Sequence, residues 1–261
     1  MGAIKRAPAH PIQAHIGVDG CRAGWFHVCL AGGELSGGIA SHISDIVARA
    51  DAADQVFIDI PIGLLESGPD GRRCDAEARR LLGPRASSVF NAPLRAVLDQ
   101  QSYAQANLLS RELSGKGLSK QTWNICAKVR EVDGVLRTDA KARAMLREAH
   151  PELCFYGLAG GRPMQHNKKT GEGFTERLAL LERYLPAAGE FVAAALARYP
   201  RSQVARDDIV DATVCALTAS LREHWHSLPA CSEHDAEGLP MAIVYCQPCQ
   251  AEPVVPLRKS P

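Results

Sequence analysis

Four aspartates sit where carboxylates need a reason. Asp19 ends the apolar run AHIGVD, Asp59 interrupts VFIDIP, and Asp208 and Asp211 stand three apart in RDDIVDA. Asp59 lies between Ile58 and Ile60, and Asp211 lies among Ile209, Val210, Ala212 and Val214. Carboxylates are rarely buried without a partner. Three or four of them brought together would repel, and at least one would keep its proton near neutrality unless a cation is shared. Hard divalent ions take oxygen donors, so the expected cofactor is Mg²⁺ or Mn²⁺, and two such ions suit phosphoryl transfer. Plainer readings stand beside this one. Asp19-Gly20 is a favoured hairpin dipeptide. Asp207 and Asp208 open a helical pattern, where acids cap the helix and suit its dipole. Asp19 is read as a ligand, with Gly20 supplying the turn.

The elements that must hold these acids follow from hydrophobic patterning. AHIGVD, GWFHVCL and GGELSGGIAS read as three strands of a meander, and HISDIVARA as a helix. QVFIDIPIGL is a fourth, buried strand, which a helical connection allows to lie parallel beside the first. Asp19 and Asp59 then reach the same edge, the carboxyl ends of parallel strands, where open α/β sheets bind ligands. Asp208 and Asp211 share one face of the last long helix, RDDIVDATVCALTASLREHW.

From Gly68 to His150 the pattern is helical: CDAEARRLLG, SYAQANLLSREL and TDAKARAMLREAH, the last capped by Thr138 or Asp139. ELCFYGLAGG reads as a return to strand, TERLALLERYL as helix and LPMAIVY as a closing strand. The class is α/β, one mixed sheet with helices on it, interrupted by a helical insert at about 66–150. A C-terminal extension covers about 226–261, and the whole of 1–261 reads as one domain.

Charge is uneven. The net charge is +1, which gives no global attraction to nucleic acid. Arg72 to Arg147, however, holds 15 Lys plus Arg against 7 Asp plus Glu, a local +8. Arg72, Arg73, Arg85, Lys116, Lys120, Lys128 and Arg130 belong to this basic stretch, as a substrate grip or as a solvated helical face. Trp123 stands among its cations, to stack a base or to fill a helix interface. Lys168 and Lys169, in HNKKTGEG, read as reaching the metal edge and a phosphate backbone or as part of a solvated loop. His150 reads as a proton shuttle or a structural hydrogen bonder.

Composition bounds the rest. Hydrophobic residues make up 46% and charged residues 23%, as in soluble globular chains. The opening MGAIKRAPAHPIQAH lacks the apolar core of a signal peptide, so a cytoplasmic protein is expected. Cys29, Cys154 and Cys215 read as small core residues. Cys231, His234, Cys246 and Cys249 give C-x2-H-x11-C-x2-C, a spacing open to structural zinc or to chance.

Several segments together carry a resemblance: IGVDGCRAGW, FIDIPIGL, RASSVFNAP, GKGLSKQTWNICAKVREVD, HPELCF, NKKTGEGFTERLALL and DDIVDA. The chain resembles domain-of-unknown-function family 429, described as predicted ribonuclease-H-like nucleases, from Ile16 to about Ala219. The resemblance implies a ribonuclease-H-like mixed five-stranded sheet flanked by helices, its first three strands antiparallel, with the insert between strands four and five. It implies metal ligands at Asp19, Asp59, Asp208 and Asp211. The last two are similar to the paired acids on the final helix of Holliday-junction resolvases. Glu152, in HPE, is carried as a further site residue. Standing before the presumed strand LCFYGL, it would lie at the edge opposite the metals, paired with an insert residue such as Arg130.

The reading that follows is a divalent-metal-dependent nuclease acting on nucleic acid by a two-metal carboxylate mechanism. An ATP-using phosphotransferase of the actin and sugar-kinase type shares the core sheet, and GVDGCRAGW vaguely resembles its phosphate loop. A non-catalytic nucleic-acid-binding module is the third reading.

Overall fold

The computed structural model describes residues 13–248. Three antiparallel strands open the fold: β1 (Ala14–Cys21), β2 (Gly24–Ala31) and β3 (Glu34–Ala40). Asp19 and Gly20 are not the hairpin turn. Asp19 faces Phe26 and Gly20 faces Trp25 within the ladder, and the chain reverses at Arg22 and Ala23. Inward-facing residues continue along β1 as far as Cys21, which is buried, and this carries the strand past the Asp-Gly pair. Both turn readings, for Asp19 and for Gly20, are corrected by this register.

Helix α1 (Ile43–Arg49) leads back to β4 (Gln55–Ile58), parallel to β1, and β5 (Leu146–Glu148) lies parallel to β4. The order is β3-β2-β1-β4-β5, a mixed five-stranded sheet consistent with a ribonuclease-H-like fold. Between β4 and β5 come α2 (Arg73–Leu82), two 3-10 turns (Gly83–Ser88 and Arg95–Asp99), α3 (Tyr103–Ser114), α4 (Lys120–Thr138) and α5 (Ala140–Met145). The insert therefore stops at Met145, not near 150. TDAKARAMLREAH divides into α5, capped by Asp139 on the N–H groups of Lys141 and Ala142, and the three-residue strand β5.

ELCFYGLAGG is not a strand. Pro151–Leu158 is helix α6, with Pro151 at its first turn and Leu153, Cys154 and Phe155 all buried. An apolar run buried on every side reads the same in a strand as in a helix. The chain continues through α7 (Gly171–Tyr184), α8 (Ala188–Arg198) and α9 (Arg206–Ser220). It ends in the hairpin β6 (Trp225–His234) and β7 (Pro240–Cys246), a separate two-stranded sheet. LPMAIVY thus pairs with β6 rather than closing the main sheet, which it meets through one bridge, Ala149 to Val244.

The sheet separates two cores. Ile16, Val18, Trp25, Val56 and Ile58 pack with residues of α1 and α4 on one face. Phe26, Val28, Leu30 and Phe57 pack with α6 to α9 on the other. Helix α9 is buried from Ile209 to Ala219 and lies directly on β1. A Cβ at Gly17 would come 2.0 Å from the Ala212 carbonyl oxygen and 2.2 Å from the Ala216 nitrogen. Only glycine permits that approach. Among the described residues no helix is long and apolar enough to cross a membrane.

Candidate metal centre

Strand periodicity decides which way the acids face. Side chains alternate along a strand. Asp19, two residues past Gly17, therefore lies on the face that α9 covers. Asp59 has the same relation to Phe57, and its N–H donates to the Val18 carbonyl (3.0 Å), extending the β1–β4 ladder by one residue. On α9, Asp211 stands immediately before the Ala212–Ala216 stretch that touches Gly17. The result is convergence. Asp19, Asp59 and Asp211 each place a carboxylate oxygen within 4.8 Å of the others. Asp19 is 9% exposed and Asp211 1%.

Asp208 stands beside this trio rather than in it. Its Oδ2 accepts the Ala205 N–H (2.8 Å) and closes the first turn of α9. The capping reading of Asp208 therefore describes one of its oxygens, while its charge still reaches Asp19. Burial pushes the Asp208 carboxyl up to about 6, against the pull of its cap hydrogen bond. Burial, and then the charges of Asp59, Asp211 and Asp208, hold Asp19 well above the ordinary carboxylate range. Asp59 and Asp211 are also raised, chiefly by burial.

The counter-charge is Lys168. Its Nζ lies 2.5 Å from Asp211 Oδ2, and the surrounding carboxylates, Asp211 foremost, raise its pKa. Lys168 arrives on the loop between α6 and α7, after a helix and not after a strand. Lys169 does not follow it. Its side chain is exposed, and the recorded bonds of the residue are through its backbone, to Asn167 and Arg206. Lys128 approaches from α4, crossing the space that the missing side chain of Gly20 leaves. Its Nζ donates to the Gly24 carbonyl (2.5 Å), lies 4.3 Å from the centre of the Trp25 ring, and feels Asp19 and Asp208.

Other candidate residues lie elsewhere. Glu152, in the first turn of α6, is gripped by Arg177 Nη2 at 2.9 and 2.7 Å and approached by Arg85 at 3.6 Å. Its partners are these two arginines and not Arg130, which is exposed. It belongs to a buried ion pair outside the carboxylate trio. Arg85 also donates to the Met164 carbonyl (2.8 Å) and ties the insert to the α6–α7 loop. Trp123 meets Tyr103 edge to face at 6.4 Å and packs on the α4 core, the helix-interface reading. Lys120 lies over the same Tyr103 ring, and Lys116 donates to the Pro69 carbonyl.

Much of the basic stretch is already neutralised. Arg72 is buried, binding Glu148 at 2.7 and 2.8 Å and Asp75 at 2.5 Å. Arg95 pairs with Glu66, Asp133 and Asp235. Three of those five acids, Glu66, Glu148 and Asp235, lie outside the counted stretch, so local composition overstated the free charge. Arg177 and Glu148 were missed from sequence, Glu148 because its strand was hidden in a helical pattern. The three described members of the tail quartet do not come together. Cys246 is buried opposite Trp225 with its Sγ 3.7 Å from the Thr218 hydroxyl, whereas His234 pairs with Pro240 at the far end of the hairpin. Cys231 is exposed, and Cys249 lies outside the described residues.

The fold and the carboxylate cluster define an α/β protein with a candidate cation centre at the carboxyl edge of its parallel strands. The family described as "Protein of unknown function (DUF429)" matches residues 17–234. The chain belongs to that family. No match is found among curated proteins or among solved structures.

Proposed function

We propose that this protein is a divalent-metal-dependent nuclease that hydrolyses phosphodiester bonds in nucleic acid. The observation that carries the reading is the convergence of Asp19, Asp59 and Asp211 within 4.8 Å at the strand ends. The donor set fits a hard cation, because the cluster is all carboxylate with no thiol or imidazole in it. Asp19, Asp59 and Asp211 would hold Mg²⁺ or Mn²⁺, with Asp208 as an adjacent acid for a second ion. Bound there, such ions activate water and offset charge on phosphoryl oxygens.

The chain's own residues divide the remaining work. The rigid contact of α9 with β1 fixes the spacing of the acids. Lys168 balances Asp211 and, exposed by more than a third, can turn toward a substrate phosphate. Lys128 holds positive charge on the opposite side, near Asp19 and Asp208.

The test is cleavage of labelled single- and double-stranded DNA and RNA, a hybrid and a four-way junction, with Mg²⁺, Mn²⁺ or EDTA. Cutting that needs metal and disappears in Asp59→Asn and Asp211→Asn is the expected result. Cutting that survives both substitutions, or none under any metal, refutes the proposal. A thermal shift with Mn²⁺ that is absent in Asp211→Asn reports ion binding separately from turnover.

A further inference from the structure

The residues after the first 3-10 turn, Val89 to Leu94, face the α3–α4 junction across a cavity of about 450 Å³. That volume falls within the range of small-ligand clefts. Arg79 and Lys116 bring positive charge, against one acid among the lining residues, Asp70. Phe90 lies on the lining with 42% of its surface exposed, and among the described residues only Leu108 is another large hydrophobic so exposed.

The wall is braced. Arg79 donates to the Val89 carbonyl (2.9 Å) and to Asn91 Oδ1 (2.6 Å), and the buried Thr122 hydroxyl donates to the Asn91 carbonyl (3.0 Å). The Phe90 backbone is thus held on both sides while its ring remains free. An exposed ring on a braced loop is pre-organised for stacking and loses little entropy when it is covered.

Position adds a second argument. Ser88, two residues before Phe90, places its carbonyl 3.2 Å from His150 Nε2, and Ala149, just before His150, donates its N–H to the carbonyl of Ile58, just before Asp59 (3.0 Å). The cavity wall therefore starts beside the carboxylate edge. RASSVFNAP and GKGLSKQTWN meet across the cavity, and neither contributes an acid to the metal centre.

We propose that this cavity is a subsite for single-stranded nucleic acid, in which an unpaired base lies against Phe90 and the adjoining phosphate is held by Lys116 and Arg79. A paired base has no free face to offer the ring, so the subsite selects unpaired strand. Its place next to the scissile bond rests on the nuclease reading, whereas binding itself does not.

The experiment is equilibrium binding in EDTA, where no metal-dependent cutting occurs. Fluorescein-labelled octamers of U and of dT are titrated by anisotropy against wild type, Phe90→Ala, Lys116→Glu and Arg183→Glu. Phe90→Ala should weaken binding at least about fivefold, the low end for one stacked base. Lys116→Glu should weaken binding and reduce the salt slope by about one phosphate contact. Arg183→Glu, a charge reversal at an exposed position of α7 outside the cavity lining, should bind like wild type. Both cavity side chains are exposed, and unchanged thermal melts confirm that the variants are folded. A 5-iodouridine octamer should photo-crosslink within residues 89–94 of the wild-type protein.

Undiminished binding in both cavity variants overturns the subsite, as does no octamer binding by wild type, tighter binding of a duplex, or a mononucleotide binding as tightly as the octamer. Metal-dependent cleavage with cavity variants that bind normally removes the subsite and leaves the nuclease. Binding lost in the cavity variants, with no cleavage under any metal, does the reverse.

Discussion

Replacing Asp208 with Asn separates the two things this residue does. The amide oxygen of Asn can still accept the Ala205 N–H that Oδ2 accepts at 2.8 Å, so the start of α9 is retained. The negative charge is not. Burial raises the Asp208 carboxyl from 3.8 to about 6 in the folded protein. Between about pH 4 and 6 the native state therefore binds a proton that the unfolded chain has released. By linkage, the stability this group contributes is full below pH 4 and declines as pH rises through 6. A difference of roughly two pK units corresponds to about 3 kcal/mol, as an upper bound. At about 2–4 °C per kcal/mol for a chain near this size, the melting temperature of metal-free Asp208→Asn should exceed wild type by as much as about 6–12 °C at pH 7.5. The two curves should meet below pH 4. Melts in EDTA from pH 3.5 to 8, checked for reversibility, measure this. A variant that melts lower than wild type at pH 7.5, or keeps the wild-type pH slope, refutes the argument that charge burial governs this end of α9.

Three further outcomes follow from the packing. Gly17→Ala puts a methyl group 2.0 Å from the Ala212 carbonyl, so unfolding in urea should show a loss of about 3 kcal/mol or more, and Mn²⁺ should no longer raise the melting temperature. Arg72→Met leaves Glu148 and Asp75 buried without their cation and should cost about 3–5 kcal/mol by the same measurement, while Arg73→Met, at an exposed position, should leave the midpoint unchanged. Lys168→Met removes the ammonium beside Asp211, so the metal-free protein should melt lower at neutral pH, and Mn²⁺ should raise its melting temperature more than that of wild type, as thermal shift would show.

The parts of the site carried by long, regular patterns were legible before any coordinates. The meander, the parallel fourth strand and the last helix each have a clear hydrophobic signature, and together they place Asp19, Asp59 and Asp211 on one edge. What failed was short or buried on all sides. β5 is three residues long and merges into the helical pattern before it, and α6 is apolar all round, so strand and helix were exchanged. That exchange also assigned Glu152 to the wrong edge and hid Glu148. Side-chain partners between distant segments leave no periodic trace. The Arg177–Glu152 pair and the Arg95–Asp235 tie could be seen only in three dimensions, whereas the capping role of Asp208 was already open in RDDIVDA.

The carboxylates come from opposite ends of the chain: Asp19 from the first strand, Asp59 from the fourth, Asp211 from the last helix. During synthesis β1 and β4 emerge long before α9, so the third acid is the last to be made. Until Asp211 has left the ribosome, no nascent chain presents the complete set. The order of the elements makes the docking of α9 onto Gly17, a contact of large sequence separation, the event that completes the site.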